Sequence, residues 1–460
     1  MAEHRNGTAP VDDRALSARR TLGPVQALVM AGLAAAFVFV CVRAPAAVLS
    51  FGHVSLWVGF ALASALRVAA LTLRPARQEA PVARGGALPR YTVIAPLYRE
   101  GAVVPQLIAA LGAIDYPRSR LEILIALEVD DLATAAAVRA AAPSSNVRIV
   151  VVPPGRPRTK PRALNHALAE ATGEYVVVYD AEDRPDPGQL REAVQRFRSG
   201  PPELACLQAP LRITAEKPGF LQSQFAAEYA ALFEVLLPAF ARLGLPFPLG
   251  GTSNHFRAEA LRAVGGWDAW NVTEDADLGF RLWRAGGRLG VLTRPTLESA
   301  PRNLREWLPQ RARWIKGHVQ TWLVHMRRPI GLGVRGFLAF QATLGLGLLS
   351  AICHAPVVAV VLASLLVTLL QRVAPVVPPP DLGLLAAGWT VAGLMCGTAL
   401  RHTGGRYRIR DALAAPFYWS LQTLAFVCAA VQLVLSPHHW DKTDHHPVAA
   451  PATDAGRLAA

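Results

Sequence analysis

The sequence predicts an α/β domain with a mainly parallel sheet, inserted between two groups of transmembrane helices. Of its 460 residues, 52% are hydrophobic and only 17% are charged, a composition that is apolar for a soluble protein and indicates membrane segments. The apolar runs lie towards the two ends of the chain. The segment between them alternates strand-like with helix-like patterns, which is typical of a parallel sheet covered on both faces.

Two apolar segments near the N-terminus can each cross a bilayer. Residues 25–42 and residues 44–66 contain no charged side chain, and each is long enough for a hydrocarbon core of about 30 Å. A cleaved signal peptide is the alternative, because the small residues at 44–46 imitate a cleavage site. The charged leader is long, however, and a second span follows, so the sequence favours a pair of membrane helices.

Four further apolar segments follow the central domain. They cover residues 336–353, 355–371, 383–400 and 412–435, and a total of six spans places both termini on the same side of the membrane. Arginines flank the first two spans on the domain side, which places the domain in the cytosol by the positive-inside rule. The arginine-rich loop 401–410 then falls outside, so we expect one late segment to be re-entrant or interfacial.

These boundaries divide the chain into five parts. We expect a cytosolic tail at 1–24, two transmembrane helices at 25–73, a cytosolic domain with interfacial helices at 74–328, about four transmembrane helices at 329–436 and a cytosolic tail at 437–460.

The composition also excludes several classes of protein. Arginines beside the membrane segments account for much of the net charge of +14, and no RNA- or DNA-binding module pattern occurs, so no nucleic-acid partner is expected. The five cysteines lack CxxC spacing, which argues against a zinc site or a disulfide framework. The histidines near the C-terminus have no cysteine or paired acidic residues at metal-ligand spacing, so a solvated tail is favoured there.

Four short apolar runs predict the parallel strands of the central domain. They are TVIAP at 92–96, EILIAL at 122–127, NVRIVVV at 146–152 and EYVVVY at 174–179, separated by helix-like stretches such as 103–113 and 161–171. Polar residues follow each run at once. Because ligands bind beyond the carboxyl ends of parallel strands, we expect these polar groups to converge on one edge of the sheet.

The acidic residues of that edge allow two interpretations. Asp180 and Asp183 can hold a hard divalent cation through oxygen ligands, but acidic residues also favour the first turn of a helix. Asp130 and Asp131 can likewise cap the helix that follows them, and Thr273 is a good N-cap for the acidic turn after it. Taken singly, none of these stretches establishes a site.

Seven motifs in a fixed order distinguish the two interpretations. They are IAPLYRE, LEVDD, TKPRALN, YDAED, GGTSNHFR, TEDADLGFRL and QRARW, between about residues 90 and 325. In this order they resemble the membrane-embedded family 2 glycosyltransferases, the group of cellulose, chitin and hyaluronan synthases and their bacterial polysaccharide-synthase relatives. The resemblance implies a nucleotide-sugar-binding domain of the GT-A type.

The resemblance also implies the donor side of a site. The family's DxD position falls on Asp180 and Asp183, which would bind Mg²⁺ or Mn²⁺ bridging the donor diphosphate. The base contact falls on Asp130 or Asp131, between which the sequence does not choose. Three further residues complete the expected donor site, namely Glu100, Lys160 and Arg313.

The catalytic and acceptor sides follow from the later motifs. Asp275 of the TED motif, beside Glu274, corresponds to the general base that takes the proton of the acceptor hydroxyl, with inversion of configuration. The expected acceptor-binding residues are Gly251, Thr252, Asn254, Gln310 and Trp314. Without the resemblance, GGTSNHFR would read as a tight turn before a strand, and QRARW as part of an amphipathic interfacial helix.

The C-terminal stretch WDKTDH resembles a short W-x-K-T-x-H ending of some bacterial members. It implies a lid over the nucleotide, formed by Trp440, Lys442, Thr443 and His445. A lid of this kind should carry a cation that faces phosphate, a role that suits the ammonium of Lys442.

The resemblance predicts an inverting transferase in the bacterial inner membrane with a cytoplasmic catalytic domain. A nucleotide sugar, with UDP preferred over GDP, would donate a hexose or N-acetylhexosamine to a growing glycan, as in a processive polysaccharide synthase. Single transfer to a lipid such as a polyprenyl phosphate is the alternative enzyme function. A catalytically silent scaffold with envelope-export partners is a third alternative, but the retained acids argue against it.

Overall fold

A computed structural model gives the fold of the chain, and it describes residues 16–73, 87–141, 143–214, 218–374 and 376–438. The helices are α1 Pro24–Arg43, α2 Pro45–Leu73, α3 Val104–Gly112, α4 Leu132–Ala140, α5 Lys160–Glu170, α6 Gln189–Ser199, α7 Phe220–Ala231, α8 Leu237–Arg242, α9 Ala258–Ala263, α10 Glu274–Arg284, α11 Leu304–His325, α12 Gly333–Phe340, α13 Leu346–Gln371, α14 Pro379–His402 and α15 Ile409–Leu435. The strands are β1 Tyr91–Leu97, β2 Leu121–Glu128, β3 Val147–Val152, β4 Tyr175–Val178, β5 Arg184–Pro185, β6 Leu204–Gln208, β7 Leu211–Thr214, β8 Asn254–Arg257, β9 Arg288–Val291 and β10 Thr296–Ser299.

A seven-stranded sheet forms the centre of the domain, in the order β3-β2-β1-β4-β8-β6-β9. The first four strands are parallel, as predicted, and β6 pairs with β9 in parallel. Strand β8 is antiparallel to both of its neighbours, β4 and β6. The sheet is therefore mainly parallel, which confirms the predicted fold class.

The sheet is covered on both faces, since its central strands β1, β2 and β4 are mostly apolar and almost entirely buried. Successive residues of β1 point to opposite sides, so Val93 and Ile94 are both fully buried but belong to different hydrophobic clusters. Helix α5 packs on the face of Ile94, and α3 and α6 pack on the face of Val93. A smaller sheet, in the order β5-β10-β7, lies beside the carboxyl end of β4.

Five helical stretches are long and apolar enough to cross a membrane: Pro24–Arg43, Pro45–Leu73, Pro329–Gln371, Pro379–His402 and Ile409–Leu435. The prediction of separate spans at 336–353 and 355–371 is wrong, because one helical path runs through both. His354 is only 8% exposed, since its ring packs against Trp389 and Trp419. Pro356 lies inside α13 without ending it, which neighbouring helices make tolerable in membrane proteins.

Helix α11 joins the domain to the last apolar helix. It packs against the loop before α10, where the Asn271 side chain donates to Thr321 Oγ1 over 2.9 Å. On its other side it runs beside α15, from the contact of Trp307 with Tyr418 to the bond that Gln320 donates to the carbonyl of Pro437. The stretch of α15 from Tyr418 to its C-terminal end thus lies beside α11.

The segments outside the first and last helices meet at the same loop. The backbone N–H of Ala18 donates to Asp268 over 2.5 Å. The Arg19 guanidinium lies 5.5 Å from the ring of Trp270, and the ring of His438 lies 5.1 Å from that of Trp270. This loop leads directly into the TED motif.

Candidate active site

The first part of the site is a cavity at the carboxyl ends of β2 and β3. Its volume is about 540 Å³, and its walls include Glu128, Asp130 and Arg158. Asp130 and Arg158 form an ion pair, and this pairing lowers the pKa of the Asp130 carboxyl. The Arg158 guanidinium also lies 4.8 Å from the ring of Tyr98, which follows β1.

The two acids of LEVDD have different roles in the structure. Asp131 is buried and caps α4 by accepting from the N–H of Thr134 over 3.2 Å. Its other oxygen accepts from the N–H of Arg99 over 2.5 Å, which fixes the turn after β1. Asp130 instead faces the cavity. Asp130 alone therefore remains our candidate for the contact with the nucleotide base of the donor.

Glu100 lies on the same turn and is anchored through its backbone. Its N–H donates to the hydroxyl of Thr134 over 3.1 Å, a bond that ties the end of β1 to α4. The residue before it, Arg99, has a φ of 55°, a left-handed conformation that is uncommon outside glycine. Glu100 therefore lies at the carboxyl edge where the strands end.

The acidic turn after β4 is built around Asp183, which is fully buried. Its Oδ2 accepts from the N–H of Asp180 over 2.7 Å and from the hydroxyl of Thr252. Burial, together with the neighbouring Asp180 and Glu182 carboxylates, raises the pKa of Asp183 well above its usual range. A carboxylate in this position needs a compensating positive charge.

Lys160 connects the acidic turn with the next motif. Its ammonium lies 2.5 Å from Asp180 Oδ1 and donates to the carbonyl of Gly251 over 2.8 Å. Burial opposes the charged form, but the carboxylates of Asp180 and Glu274 outweigh it and raise the pKa of Lys160. Lys160 is thus a fixed cation at the centre of the site.

The GGTSNHFR stretch forms a turn and the whole of β8. A Cβ at position 251 would lie 3.4 Å from Asp275 Oδ2, an ordinary contact distance, so this backbone lies close to the Asp275 carboxyl. The hydroxyl of Thr252 bonds Asp183, as described above. The carboxamide of Asn254 donates to the carbonyl of Gly250 over 2.5 Å.

Glu274 and Asp275 begin α10 and face the same cluster. Burial raises the pKa of Asp275 to about 6 and that of Glu274 to about 8, with Lys160 opposing both shifts. Each of the two carboxyls therefore holds its proton to a higher pH than a free carboxyl does. Thr273 makes no capping bond to α10, so the predicted N-cap interaction is absent.

The QRARW motif lies in α11. Burial lowers the pKa of Arg313, and the carboxylates of Glu274, Asp180, Asp275 and Glu182 lie close enough to oppose this shift. Trp314 lies on the other side, with its ring 6.2 Å from the rings of Phe225 and Tyr229. Gln310 precedes Trp314 by one helical turn.

Four oxygen atoms, three from predicted site residues and one from the neighbouring Thr273, are buried without a hydrogen-bond partner in the described part of the chain. They belong to Asp183 (Oδ1), Asn254 (Oδ1), Thr273 (Oγ1) and Gln310 (Oε1). Buried polar atoms in native proteins are normally paired. Unpaired acceptors gathered from four separate motifs indicate a site that a ligand completes.

The structure also contains residues near the site that sequence reasoning missed. Gln208 orders the glycine turn, because it accepts from the N–H of Gly250 over 2.7 Å and donates to the carbonyl of Thr252 over 3.0 Å. Glu298 of β10 is half-buried and lies within the electrostatic range of Asp183, and desolvation raises its pKa. No motif or spacing marks either residue in the sequence.

Within the described residues, no group of three or more His, Cys, Asp or Glu side chains is arranged to hold a metal ion. Asp180 and Asp183 nevertheless fit a divalent cation, because one oxygen of the buried Asp183 has no partner. The lid residues Trp440, Lys442, Thr443 and His445 lie outside the described part of the chain.

This sheet and site belong to a known class of enzymes. A family model described as "Glycosyl transferase family group 2" matches residues 175–396. The β-monoglucosyldiacylglycerol synthase of Synechocystis is 30% identical over 363 residues, which cover 74% of this chain and 71% of that protein. The chain belongs to glycosyl transferase family 2, which confirms the predicted family and enzyme class.

Other similar proteins have lower sequence identity to this chain. Cellulose synthase 2 of Novacetimonas hansenii is 26% identical over 253 residues, which cover 54% of this chain but only 15% of that protein. One similar solved structure is the mannosyltransferase PcManGT of Pyrobaculum calidifontis in complex with GDP-Man and Mn²⁺. The match covers 82% of this chain and 98% of the mannosyltransferase chain. Its TM-score is 0.52 at 20% identity, which confirms the GT-A-like fold.

Proposed function

We propose that the protein transfers one sugar from a nucleotide-diphosphate sugar to a hydroxyl group of a membrane lipid, with inversion at the anomeric carbon. The observation that supports this most directly is the set of four unpaired buried oxygens around Lys160, Asp180 and Asp275.

On the donor side, Asp130 would bind the nucleotide base in the cavity beside Tyr98. Lys160 and Arg313 would contact the diphosphate, as the two cations directed at the acidic turn. Asp180 and Asp183 would hold Mg²⁺ or Mn²⁺, which supplies positive charge to the leaving diphosphate. Lys160 would then exchange its contact with Asp180 for one with phosphate.

On the acceptor side, Asp275 would accept the proton of the attacking hydroxyl. Its pKa of about 6 suits a base that works near neutral pH. The new bond forms between the acceptor oxygen and the anomeric carbon while the bond from that carbon to the diphosphate oxygen breaks. The proton moves to Asp275 Oδ2, which faces the backbone of Gly251.

The choice of a lipid acceptor rests on the relatives. The relative at 30% identity, matched over 71% of its length, is named for a monoglucosyl diacylglycerol. A second candidate function, processive synthesis of a polysaccharide, is favoured by QRARW, whose Trp314 offers a flat face of the kind that stacks on a sugar ring. Export or envelope proteins would be partners in that case.

We further propose that the catalytic domain lies on the cytoplasmic face of a bacterial inner membrane. In this topology α15 lies in the membrane interface beside α11 and the other four apolar helices cross, so the arginine-rich loop 401–410 returns to the cytoplasm as the positive-inside rule requires. In a cysteine-free background, the thiol introduced by Arg406→Cys should stay unlabelled when intact spheroplasts are treated with a membrane-impermeant maleimide. Labelling from outside would contradict this topology.

The test of the function is sugar transfer by the full chain in nanodiscs. Radiolabelled UDP-glucose and other UDP- and GDP-sugars would be offered with Mn²⁺ or Mg²⁺ and either diacylglycerol or a polyprenyl phosphate. We expect a lipid-soluble product whose rate falls about 10²- to 10⁴-fold in Asp275→Asn. Asp115→Asn, at an exposed carboxylate away from the site, is the matched control.

The outcomes separate the proposals. A high-mass product would reject transfer to a lipid and support processive polysaccharide synthesis. Equal rates in wild type and Asp275→Asn would reject the base assignment.

A further inference from the structure

Arg311, the second residue of QRARW, is buried and held by two residues from distant parts of the chain. It is 6% exposed and donates to both carboxylate oxygens of Glu228, over 2.6 Å each. It also donates to the hydroxyl of Tyr418 over 3.2 Å, and that hydroxyl donates to Glu228 over 2.7 Å. The two-pronged geometry uses the planar guanidinium fork, which lysine lacks.

Aromatic rings enclose the same guanidinium. Its centre lies 4.7 Å from the ring of Trp314, 4.9 Å from that of Phe225 and 5.5 Å from that of Trp307. A cation over an aromatic face is attracted to it and restricts the position of the ring. Arg311 therefore fixes Trp314, the ring that we place in the acceptor site.

The contacts bring three helices together at this point. Glu228 and Phe225 belong to α7, Arg311 and Trp314 to α11, and Tyr418 to α15. The charges of Arg311 and Glu228 compensate each other, so the network adds little net charge to the site. Arg313, in contrast, is directed at the acidic cluster.

We propose that Arg311, Glu228 and Tyr418 form a positioning unit that holds Trp314 for acceptor binding and thereby sets the KM for the acceptor, but not the affinity for the donor. The unit acts through Trp314 and touches no reacting atom. This inference rests on the proposed function, because it takes Trp314 as an acceptor contact. It assigns to α15 a specific role in acceptor binding.

The chain offers a variant and a closely matched control. Tyr418→Phe removes one hydroxyl from the network and keeps the ring beside Trp307. Tyr407→Phe removes a hydroxyl that also binds α7, through Gln224 over 3.2 Å, but does not touch Arg311. Arg311→Lys keeps the charge and loses the planar fork.

The experiment uses the full chain in nanodiscs with UDP-glucose, diacylglycerol and Mn²⁺. We expect Tyr418→Phe and Arg311→Lys to raise the KM for diacylglycerol about tenfold, the effect of losing one hydrogen bond to a charged group. The Kd for UDP in the presence of Mn²⁺, measured by calorimetry, should stay within about twofold of the wild-type value, because no member of the unit contacts the donor pocket. Tyr407→Phe should match the wild type in both measurements.

A second measurement needs no acceptor. The fluorescence of Trp314, taken as the difference between each chain and the same chain with Trp314→Phe, should lose anisotropy in Tyr418→Phe but not in Tyr407→Phe. If wild type fails to glycosylate diacylglycerol, the proposed function is wrong, while this measurement still tests the unit. Unchanged anisotropy, or donor affinity and acceptor KM that worsen equally, would overturn the inference.

Discussion

Gly317 of α11 marks a close approach between this helix and Thr273, the residue directly before Glu274 and Asp275. A Cβ at position 317 would lie 2.4 Å from Thr273 Oγ1, 2.5 Å from its Cγ2 and 2.8 Å from its Cβ. Ordinary van der Waals contacts of a Cβ begin at 3.4 Å, so in Gly317→Ala the helix or the loop must move by about 1 Å. Rotation of Thr273 gives no relief, because its own Cβ is among the clashing atoms.

The expected effect of Gly317→Ala is larger on catalysis than on stability. Overpacking of this kind costs about 1–3 kcal/mol, partly offset by the better helix propensity of alanine, about 1 kcal/mol. Arg313 lies one turn before Gly317 on the same face of α11. A displacement of about 1 Å between Arg313 and Asp275 should lower kcat about 10²-fold.

The assay is the initial rate of sugar transfer at saturating substrates, with thermal unfolding of the same samples. Gly112→Ala is the control, since a Cβ at that position of α3 meets nothing within 4 Å, and its rate should stay within about twofold. A Gly317→Ala enzyme with the wild-type kcat would refute the idea that this contact sets the catalytic geometry.

Three further predictions follow from the site. The profile of kcat/KM against pH should fall as the pH drops through about 6, because Asp275 must be ionised to accept the proton; Lys160→Gln should move this limb to higher pH, since Lys160 lowers the pKa of Asp275. Asp183→Asn should abolish Mn²⁺ binding in calorimetry yet raise the Tm of the metal-free protein, because it removes a buried carboxylate whose pKa burial raises; a lower metal-free Tm would contradict this. Asp130→Ala should raise the KM for the donor about tenfold. Asp131→Ala should mainly lower the free energy of unfolding, by about 1 kcal/mol, because it removes a helix cap; denaturant unfolding measures this change. The opposite pattern would exchange the roles of the two residues.

The strands of the domain could be predicted because their sequences carry a strong local signal. The run at 146–152 is β-branched almost throughout, and the structure forms β3 at Val147–Val152. Four such runs, each followed by polar residues, fix where the parallel strands end and therefore where the site lies. The resemblance then supplied the roles of residues such as Asp275, which no local pattern distinguishes from a helix start.

Side-chain direction and long-range partners could not be predicted in the same way. Asp130 and Asp131 are neighbours of one type, and only the packed position of α4 turns one into a cap. Glu228 and Tyr418 lie 83 and 107 residues from Arg311 along the chain, and no spacing rule links them. The single helical path through His354 escaped prediction because its polar ring is accommodated by tertiary packing.

The central position of β8 has a consequence for folding during synthesis. Strand β4 ends at Val178, but its partner β8 begins only at Asn254, and a ribosome adds the intervening residues in about 4 to 15 s. Throughout that interval the four parallel strands present an unpaired, apolar edge at Tyr175–Val178, the kind of surface on which nascent chains aggregate. By then α1 and α2 have left the ribosome. Insertion of that hairpin would tether each nascent chain to the bilayer and keep the unfinished edges of different chains apart.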